Sequence, residues 1–264
     1  LATASHAQLE VTRLLQTGGG PLDRFGSSTA VEGDLIAIGA PFFDVGDNGS
    51  QGVVSLFRRS GTTWGLEQVL IDPAGSPGDF FGEAVDIDAG TVFVGVTQDD
   101  SATLTDIGSV SVFGWNGSTW AEQQKIWPAN GIGLAFGSSL AFRGDRAVVC
   151  NAYYGAIPAG SRVAFLRHDG SSWVLHQQIQ GTPGEWLGVS SALDGEWAAV
   201  GAAWGPGSPA GGGEVHIYRR VGEVWSEVQI LVPTGSVFLG RFGWSVSMDG
   251  DVLTVGAPNV SGGA

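Results

Sequence analysis

One acidic segment of the chain has the side-chain chemistry of a calcium site. Asp44, Asp47 and Asn48 lie within a few residues of one another, and their oxygen atoms could converge on one ion. Calcium takes about six to eight oxygen ligands, and carboxylate and amide oxygens are the usual ones. The same residue types also favour tight turns. The segment is therefore a candidate metal site, with a simple turn as the alternative, and no other cofactor is expected.

The other residues that could do chemistry form no catalytic pattern. The four histidines fall in different predicted strands or near the amino-terminal end, without metal-ligand spacing, and His216 alternates with apolar neighbours as a packing or solvent-facing strand residue would. Cys150, the single cysteine, follows an apolar run and is expected to be a buried, inert thiol. Asp99 and Asp100 could act as acid and base, but adjacent carboxylates are more typical of a solvated loop. We therefore expect no catalytic residue and no enzymatic activity.

Aromatic residues are concentrated in the segments between predicted strands. Rings near carboxylates such as Asp44 suit stacking on sugars or contact with another protein. The alternative is that these rings simply cover the ends of the strands. The predicted ligand-binding residues are Phe42, Phe43, Tyr153, Tyr154 and Trp204.

Composition limits the fold that can position these residues. The chain has 264 residues, with 44 Gly, 11 Pro and 43% hydrophobic residues, including 10 Trp and 13 Phe. Glycine costs about 1 kcal/mol relative to alanine inside a helix, so long helices are not expected. The glycines lack the three-residue period of collagen, and the apolar content is high enough to form a core. A turn-rich all-β protein remains.

Charge and hydropathy exclude two classes of partner. The formal net charge of −14 would repel phosphate backbones, so nucleic-acid binding is not expected. No apolar run reaches the roughly 20 residues that a membrane-spanning helix needs, so no membrane span is expected. The segment Leu1–Ala7 resembles the end of a secretory signal, which indicates an extracellular or cell-surface location.

A five-fold internal repeat decides the architecture. A hydrophobic residue followed by glycine recurs at intervals of 51 to 56 residues. These hydrophobic-Gly pairs are Phe25-Gly26, Phe81-Gly82, Phe136-Gly137, Leu187-Gly188 and Phe242-Gly243. Thirteen residues after each of these glycines stands a second small residue, in order Gly39, Gly95, Cys150, Gly201 and Gly256. Repeats of about 50 residues are typical of propellers and solenoids.

Each repeat is predicted to contain four short strands. In the first repeat these are Ser27–Val31, Leu35–Gly39, Val53–Arg58 and Trp64–Leu70, with a tight hairpin at Gly33-Asp34. Four strands in each of several tandem units is the pattern of propeller blades. The recurring Trp and Phe residues are expected to pack between adjacent blades. We therefore predict an all-β protein, a β-propeller of four-stranded antiparallel blades.

The motifs of the first and last repeats resemble those of the FG-GAP family. Phe25-Gly26 leads to Gly39-Ala40-Pro41, and Phe242-Gly243 leads to Gly256-Ala257-Pro258. The resemblance covers nearly the whole chain, is closest to the bacterial secreted type, and implies a propeller related to the heads of integrin α subunits. Integrin repeats bind calcium between the two motif halves. Here that segment is a short turn such as Gly33-Asp34, too short to surround the ion, so the family's calcium site is not expected.

The chain is predicted to be a single domain of five blades closed by both ends of the chain. The domain spans 1–264, with blades at about 23–78, 79–133, 134–184 and 185–239 and a composite blade of 240–264 plus 8–22. The composite blade lacks a third strand in the sequence, and unpaired strand edges are adhesive. Three explanations stay open: a terminal segment supplies the pairing, the sequence is part of a longer chain, or another subunit donates the strand.

Strand parity places the longer connections, between strands two and three and between strands four and one, on the same face. Variable loops on a rigid scaffold usually carry recognition. We therefore expect a non-enzymatic secreted or cell-surface adhesion module that binds an extracellular protein or glycan through this face. Two alternatives are a self-assembling subunit of an extracellular filament or layer, formed by strand donation, and a propeller-based hydrolase or lyase.

Overall fold

The computed structural model describes residues 12–128, 134–152, 160–204, 212–233 and 240–258. This part of the chain contains eighteen strands and no helix, so none of it forms a helix able to cross a membrane. The strands form four four-stranded antiparallel sheets and one two-stranded sheet. The prediction of an all-β propeller of about five blades is confirmed.

The strands follow one another blade by blade. Blade 1 contains β1 (Thr29–Glu32), β2 (Leu35–Ala40), β3 (Val53–Ser60) and β4 (Thr63–Leu70). Blade 2 contains β5 (Phe81–Asp88), β6 (Thr91–Val96), β7 (Ser109–Trp115) and β8 (Trp120–Ile126). Blade 3 contains β9 (Ser139–Arg143), β10 (Arg146–Asn151), β11 (Arg162–His168) and β12 (Trp173–Gln180). Blade 4 contains β13 (Leu187–Asp194), β14 (Trp197–Ala202), β15 (Glu214–Val221) and β16 (Val224–Leu231), and blade 5 contains β17 (Ser245–Asp249) and β18 (Val252–Gly256).

Tight turns and longer connections lie at opposite ends of the blades. The hairpins between first and second strands contain a glycine with φ between +54° and +73° in every blade, namely Gly33, Gly90, Gly144, Gly195 and Gly250. Such backbone favours glycine because a Cβ would clash. The first strands of successive blades contact one another and therefore lie innermost. The longer two–three and four–one connections meet at the other end, which we call the long-loop face.

In the first, third and fifth repeats the thirteen-residue spacing closes a backbone hydrogen bond. The Gly26 amide donates to the Gly39 carbonyl at 3.0 Å, and the amides of Gly137 and Gly243 donate in the same way to the residues thirteen positions later, at 3.0 Å and 3.1 Å. The bond joins the start of the first strand to the end of the second. A fixed spacing in the sequence therefore corresponds to a fixed strand register.

In the first, second and fourth repeats the second small residue packs directly on the next blade. A Cβ placed on Gly39 would lie 2.1 Å from the Gly82 carbonyl oxygen of blade 2, and one on Gly201 would lie 1.9 Å from the Gly243 carbonyl oxygen of blade 5. Cys150 is the exception. At this junction the residue without room for a side chain is Gly188, the glycine of the next blade's hydrophobic-Gly pair, because a Cβ on it would lie 2.6 Å from the Cys150 Cβ.

Backbone hydrogen bonds also join neighbouring blades next to this contact. The Phe81 amide donates to the Gln51 carbonyl at 2.8 Å, and Phe242 donates to Gly212 at 2.7 Å. The Phe136 amide makes the equivalent bond to the Ile107 carbonyl at 3.0 Å. Three of the five hydrophobic-Gly pairs are therefore held by main-chain groups of the preceding blade.

The outer strands are joined by a repeated glutamine–tryptophan pairing. The side-chain amide of Gln68 donates to the Trp120 carbonyl and its oxygen accepts from the Trp120 amide, both at 2.8 Å. Gln124 and Gln177 hold the next two outer-strand tryptophans in the same way. The rings of Trp120, Trp173 and Trp225 are buried, which confirms the expected packing between blades. The core consists of apolar layers between successive blades rather than one central cluster.

The fifth blade has two strands among the described residues. Of the segment 8–22 predicted to complete the composite blade, residues 8–11 lie outside them, and 12–16 have no strand assignment. Gln16 accepts a hydrogen bond from Ser55 at 2.8 Å and so contacts blade 1. The chain after 258, where a third strand would begin, also lies outside the described residues.

Gly201→Ala should lower the free energy of unfolding by about 1–3 kcal/mol, the usual cost of overpacking a tight contact. The added methyl group would press against the Gly243 carbonyl oxygen of blade 5. Gly65→Ala is the matched control, because nothing lies within 4 Å of a Cβ at that position. Chemical denaturation of both variants measures the difference. Equal stability would show that the close approach does not constrain the fold.

Candidate functional site

The long-loop face surrounds a central cavity of about 540 Å³. Phe42 lies just after β2, in a two–three connection, and Phe80 lies just before β5, at the end of a four–one connection. Both kinds of long connection therefore contribute to the cavity. The lining comes from blades 1 to 4 and includes Phe42, Phe80, Glu83, Gln98, Asp106 and Ser138. Ligand pockets usually have volumes of about 300–1,000 Å³ with apolar walls and a few polar groups. The cavity has these properties.

The residue before each hydrophobic-Gly pair has a left-handed backbone. The five residues and their φ angles are Arg24 (56°), Phe80 (58°), Ala135 (62°), Trp186 (55°) and Arg241 (54°). Residues other than glycine rarely adopt this conformation, which costs on the order of 1–3 kcal/mol. Because this left-handed conformation recurs in all five repeats, it is a structural feature of the repeat. Four of the five are aromatic or arginine side chains, and these contribute to stacked groups.

A three-membered stack forms one side of the cavity. The Arg24 guanidinium carbon lies 4.3 Å from the centre of the Phe42 ring, and the Phe42 and Phe80 rings lie 4.7 Å apart. Cation–π contact and ring packing both contribute to such a stack. The stack joins blade 1 to blade 2 and presents aromatic surface to the cavity.

One carboxylate of the cavity wall is half-buried. Burial raises the pKa of Glu83, and the nearby charge of Arg24 partly opposes that effect. A carboxyl group beside aromatic rings can accept hydrogen bonds from ligand hydroxyls. The wall therefore combines stacking surface with an oriented acceptor.

A second aromatic pair lies on the same face in blade 4. The Trp186 and Trp204 rings are stacked, with centres 5.1 Å apart and planes 29° apart. The Trp204 amide donates to the Glu185 carbonyl at 3.2 Å, which ties the end of β14 to the connection before β13. Trp204 is 36% exposed. It therefore offers an accessible indole on a fixed backbone.

The structure places the predicted ligand-binding residues differently. Phe42 lines the cavity, and Trp204 forms the exposed pair in blade 4. Phe43 is half-buried and its backbone is hydrogen-bonded on both sides within its loop, so it supports the loop rather than the cavity wall. Tyr153 and Tyr154 lie outside the described residues.

The predicted set of ligand-binding residues omits those that complete the two stacks. Arg24 and Phe80 stack with Phe42, and Trp186 stacks with Trp204. A signal was available, because each occupies the position immediately before a hydrophobic-Gly pair. That signal has meaning only once the left-handed backbone at this position is known.

The acidic loop proposed as a calcium site is closed by its own hydrogen bonds. The Asp44 carboxylate accepts from the Ser50 amide at 2.8 Å, and the Asn48 side-chain amide donates to Gln51 at 2.9 Å and to a backbone carbonyl. Asp47 is exposed. These contacts form a turn, and calcium binding at Asp44, Asp47 and Asn48 stays a prediction.

Sequence comparison identifies the repeat. Residues 9–57, 64–113 and 225–264, more than half of the chain, match the FG-GAP repeat. The chain belongs to the FG-GAP repeat family. The family's two motifs are the hydrophobic-Gly pair and the glycine thirteen positions later, whose contacts join the blades. The stretch between the second and third matched segments includes the repeat in which Cys150 replaces that glycine.

Solved structures show a similar fold in larger proteins. Crystal structures of candidate 6-phosphogluconolactonases from Bacteroides uniformis and Bacteroides fragilis superpose with TM-scores of 0.54 and 0.50, each at 11% identity. The match covers 80% of this FG-GAP chain and 58% of each of those chains. At this identity the likeness concerns the fold alone. No curated protein sequence matches the chain.

The FG-GAP propeller also contains two buried sets of titratable side chains. The first lies between blades 1 and 2, where Asp72, Asp79 and Asp99 are each no more than 5% exposed. Lys125 forms ion pairs with Asp72 and, at 2.7 Å, with Asp99. Burial raises the pKa of Asp79 to about 6. The ammonium group of Lys125 thus faces three carboxylates, and the one on Asp79 retains a proton more readily than usual.

The second set comprises Glu185, Glu214 and His216, which could hold a metal ion. His216 is buried, in keeping with the packing role expected for it, but both its nitrogens also face carboxylates, which the sequence did not indicate. Glu214 and His216 lie two residues apart and so on one face of β15, and the alternation of side chains along a strand could have indicated that they are neighbours. Glu185 comes from a different connection, so spacing in the sequence could not indicate it.

Asp79→Asn should stabilise the protein relative to the wild type at pH 8 but not at pH 4. An aspartate whose folded pKa is about 6, against an ordinary 3.8, favours the folded state only while protonated, so its contribution is lost as pH rises from about 4 through 6. Asparagine cannot ionise and can still accept the hydrogen bond from the Ser76 amide.

Urea unfolding between pH 4 and pH 8 measures this difference, and the exposed carboxylate variant Asp47→Asn is the control, expected to follow the wild type. A difference between Asp79→Asn and wild type that does not change with pH would contradict the raised pKa.

Proposed function

We propose that this FG-GAP propeller is a non-enzymatic recognition module that binds a glycan on its long-loop face. The observation that carries the proposal is the central cavity of about 540 Å³, walled by the Arg24–Phe42–Phe80 stack and by the polar groups of Glu83 and Gln98. Sugar rings present apolar faces that stack on aromatic rings and hydroxyls that need hydrogen-bond partners. The exposed Trp204 extends the same surface.

The rigidity of the scaffold supports this proposal. Phe80 is followed in the chain by Phe81, whose amide donates a hydrogen bond to the preceding blade. The Trp204 amide donates a hydrogen bond to the Glu185 carbonyl. Side chains fixed before binding lose little conformational entropy when a ligand arrives, which favours affinity. The binding groups therefore lie on backbone that the repeat itself orders.

An extracellular location belongs to the same proposal. FG-GAP repeats are typically extracellular. The alternative of a hydrolase or lyase has weaker support, because the likeness to candidate lactonases is one of fold and brings no catalytic residue to this chain.

Glycan-array binding with purified protein tests the proposal. Phe42→Ala and Trp204→Ala should each weaken binding to the recognised glycan by about 30-fold or more, the usual effect of removing a ring that dominates an interface. Trp115→Ala is the matched control, because this exposed tryptophan ends β7 on the opposite face. A folded protein that binds no glycan, or equal losses in all three variants, would contradict the proposal.

Self-assembly is a second candidate, favoured by the outer edge of blade 5. Among the described residues β18 pairs only with β17, and the exposed Val252 lies on it. A groove of about 260 Å³ beside the blade is lined by apolar residues including Ile217, Leu231 and Leu253. An unpaired edge beside an apolar groove is suited to a strand donated by a second copy.

If copies assemble through β18, light scattering after size exclusion should show mass increasing with concentration. Val252→Lys should abolish that increase, because a lysine on an edge strand opposes pairing. Val221→Lys, at the exposed end of β15 in blade 4, should leave it unchanged. Monomer at every concentration would exclude assembly by this edge.

A further inference from the structure

The buried set Glu185, Glu214 and His216 lies where blade 4 meets the connection from blade 3. Glu214 and His216 project from the start of β15, and Glu185 stands two residues before β13. Their exposed fractions are 3%, 4% and 7%. One ligand atom from each residue lies within 4.8 Å of the others. All three can therefore reach a single ion after small side-chain adjustments.

The hydrogen bonds of His216 orient one ring nitrogen toward this point. Its Nδ1 lies 2.7 Å from a carboxylate oxygen of Glu227, and its Nε2 lies 3.3 Å from an oxygen of Glu214. A histidine that donates Nδ1–H to a carboxylate presents the lone pair of Nε2. Metal-ligating histidines are usually held in this way, with the second nitrogen donating to a carboxylate that fixes the tautomer.

That tautomer leaves a buried carboxylate facing a lone pair. Among the described residues, His216 Nε2 is the only group within hydrogen-bonding distance of the Glu214 side chain. Two electron-rich atoms 3.3 Å apart in a buried site need a proton or a cation between them. A proton, on the imidazole or on the Glu214 carboxyl group, or a bound metal ion meets that need.

Charge favours the metal ion. The carboxylates of Glu185 and Glu214 are buried together beside one imidazole, and the more exposed Glu227 lies on the other side of that ring. In the described part of the chain no lysine or arginine forms an ion pair with them. The cluster between blades 1 and 2 differs, because Lys125 provides its cation. The internal segments outside the described residues contain no lysine or arginine in their sequence.

We infer that Glu185, Glu214 and His216 bind a divalent first-row transition metal, with Glu227 orienting His216. One imidazole nitrogen and two carboxylate oxygens suit Zn²⁺ and its neighbours, whereas Ca²⁺ and Mg²⁺ prefer all-oxygen sets. Three protein ligands leave a position open for water or a ligand atom. A divalent ion would balance the buried carboxylates of Glu185 and Glu214.

The metal would lie directly behind the tryptophan pair of the long-loop face. Trp186 follows Glu185 in the chain, and the Trp204 amide donates to the Glu185 carbonyl. Metal binding would therefore fix the backbone that carries the exposed indole. The inference does not depend on glycan binding, since the metal ligands are not part of the central cavity wall.

Calorimetric titration of chelator-treated full-length protein with ZnCl₂, MnCl₂ and CaCl₂ at neutral pH tests the site. One equivalent of Zn²⁺ should bind, more tightly than Ca²⁺. His216→Ala should weaken Zn²⁺ binding by about 100-fold or more, and Glu227→Gln by about 10- to 100-fold, the usual effect of losing a residue that orients a metal ligand. His176→Gln removes a histidine on a different strand and should change nothing.

Two further measurements keep the result unambiguous. Glu214→Gln keeps the size of the side chain and should also lose Zn²⁺, while circular dichroism reports whether each variant is folded. Bound Co²⁺ should give an absorption spectrum of nitrogen and oxygen ligation that disappears in folded His216→Ala. Absence of Zn²⁺ binding, or binding unchanged in both His216→Ala and Glu214→Gln, would overturn the inference and indicate an imidazolium ion pair instead.

Discussion

The rest of the propeller depends on the contact between the hydrophobic-Gly pair of one blade and the small residue of the blade before it. The space for a side chain is absent there, since a Cβ on Gly95 would lie 2.0 Å from the Gly137 carbonyl oxygen. Main-chain atoms therefore set the distance and angle between blades. Neighbouring hydrogen bonds, such as Phe136 to Ile107, hold the same junction, and the apolar layers between blades pack around it. Because the contact uses backbone, the sequences of the loops can vary without altering the ring.

The same junction creates the functional face. Turning the chain from the four–one connection into the first strand requires a left-handed residue immediately before each pair, so Arg24, Phe80 and Trp186 are presented at fixed positions. Each then stacks with a ring at or near the end of a second strand. Recognition groups and structural motif are adjacent in the chain. The strain of these residues is therefore a property of the repeat that also orients the proposed binding surface.

The sequence predicted the fold well because its signals are local and repeated. Thirteen residues between Gly26 and Gly39 correspond to one hydrogen bond, and glycine in each hairpin corresponds to a turn. Phe42 and Trp204 were found because aromatic residues at strand ends stand out. Stacking partners, and the approach of Glu185 to His216, join residues from different strands and connections. Such contacts depend on how the blades pack against one another, and the spacing of residues along the chain carries no information about that packing.

Hydrogen exchange at the blade junctions tests most directly whether backbone contacts between blades hold the ring. The amides of Phe81, Phe136 and Phe242 each donate to the preceding blade. If these junctions are the structural constraint, the three amides should exchange only through global unfolding, as slowly as amides of the buried second strands. Fast exchange at these amides under conditions where β6 and β10 stay protected would contradict that role and show that the blades are held by their side chains alone.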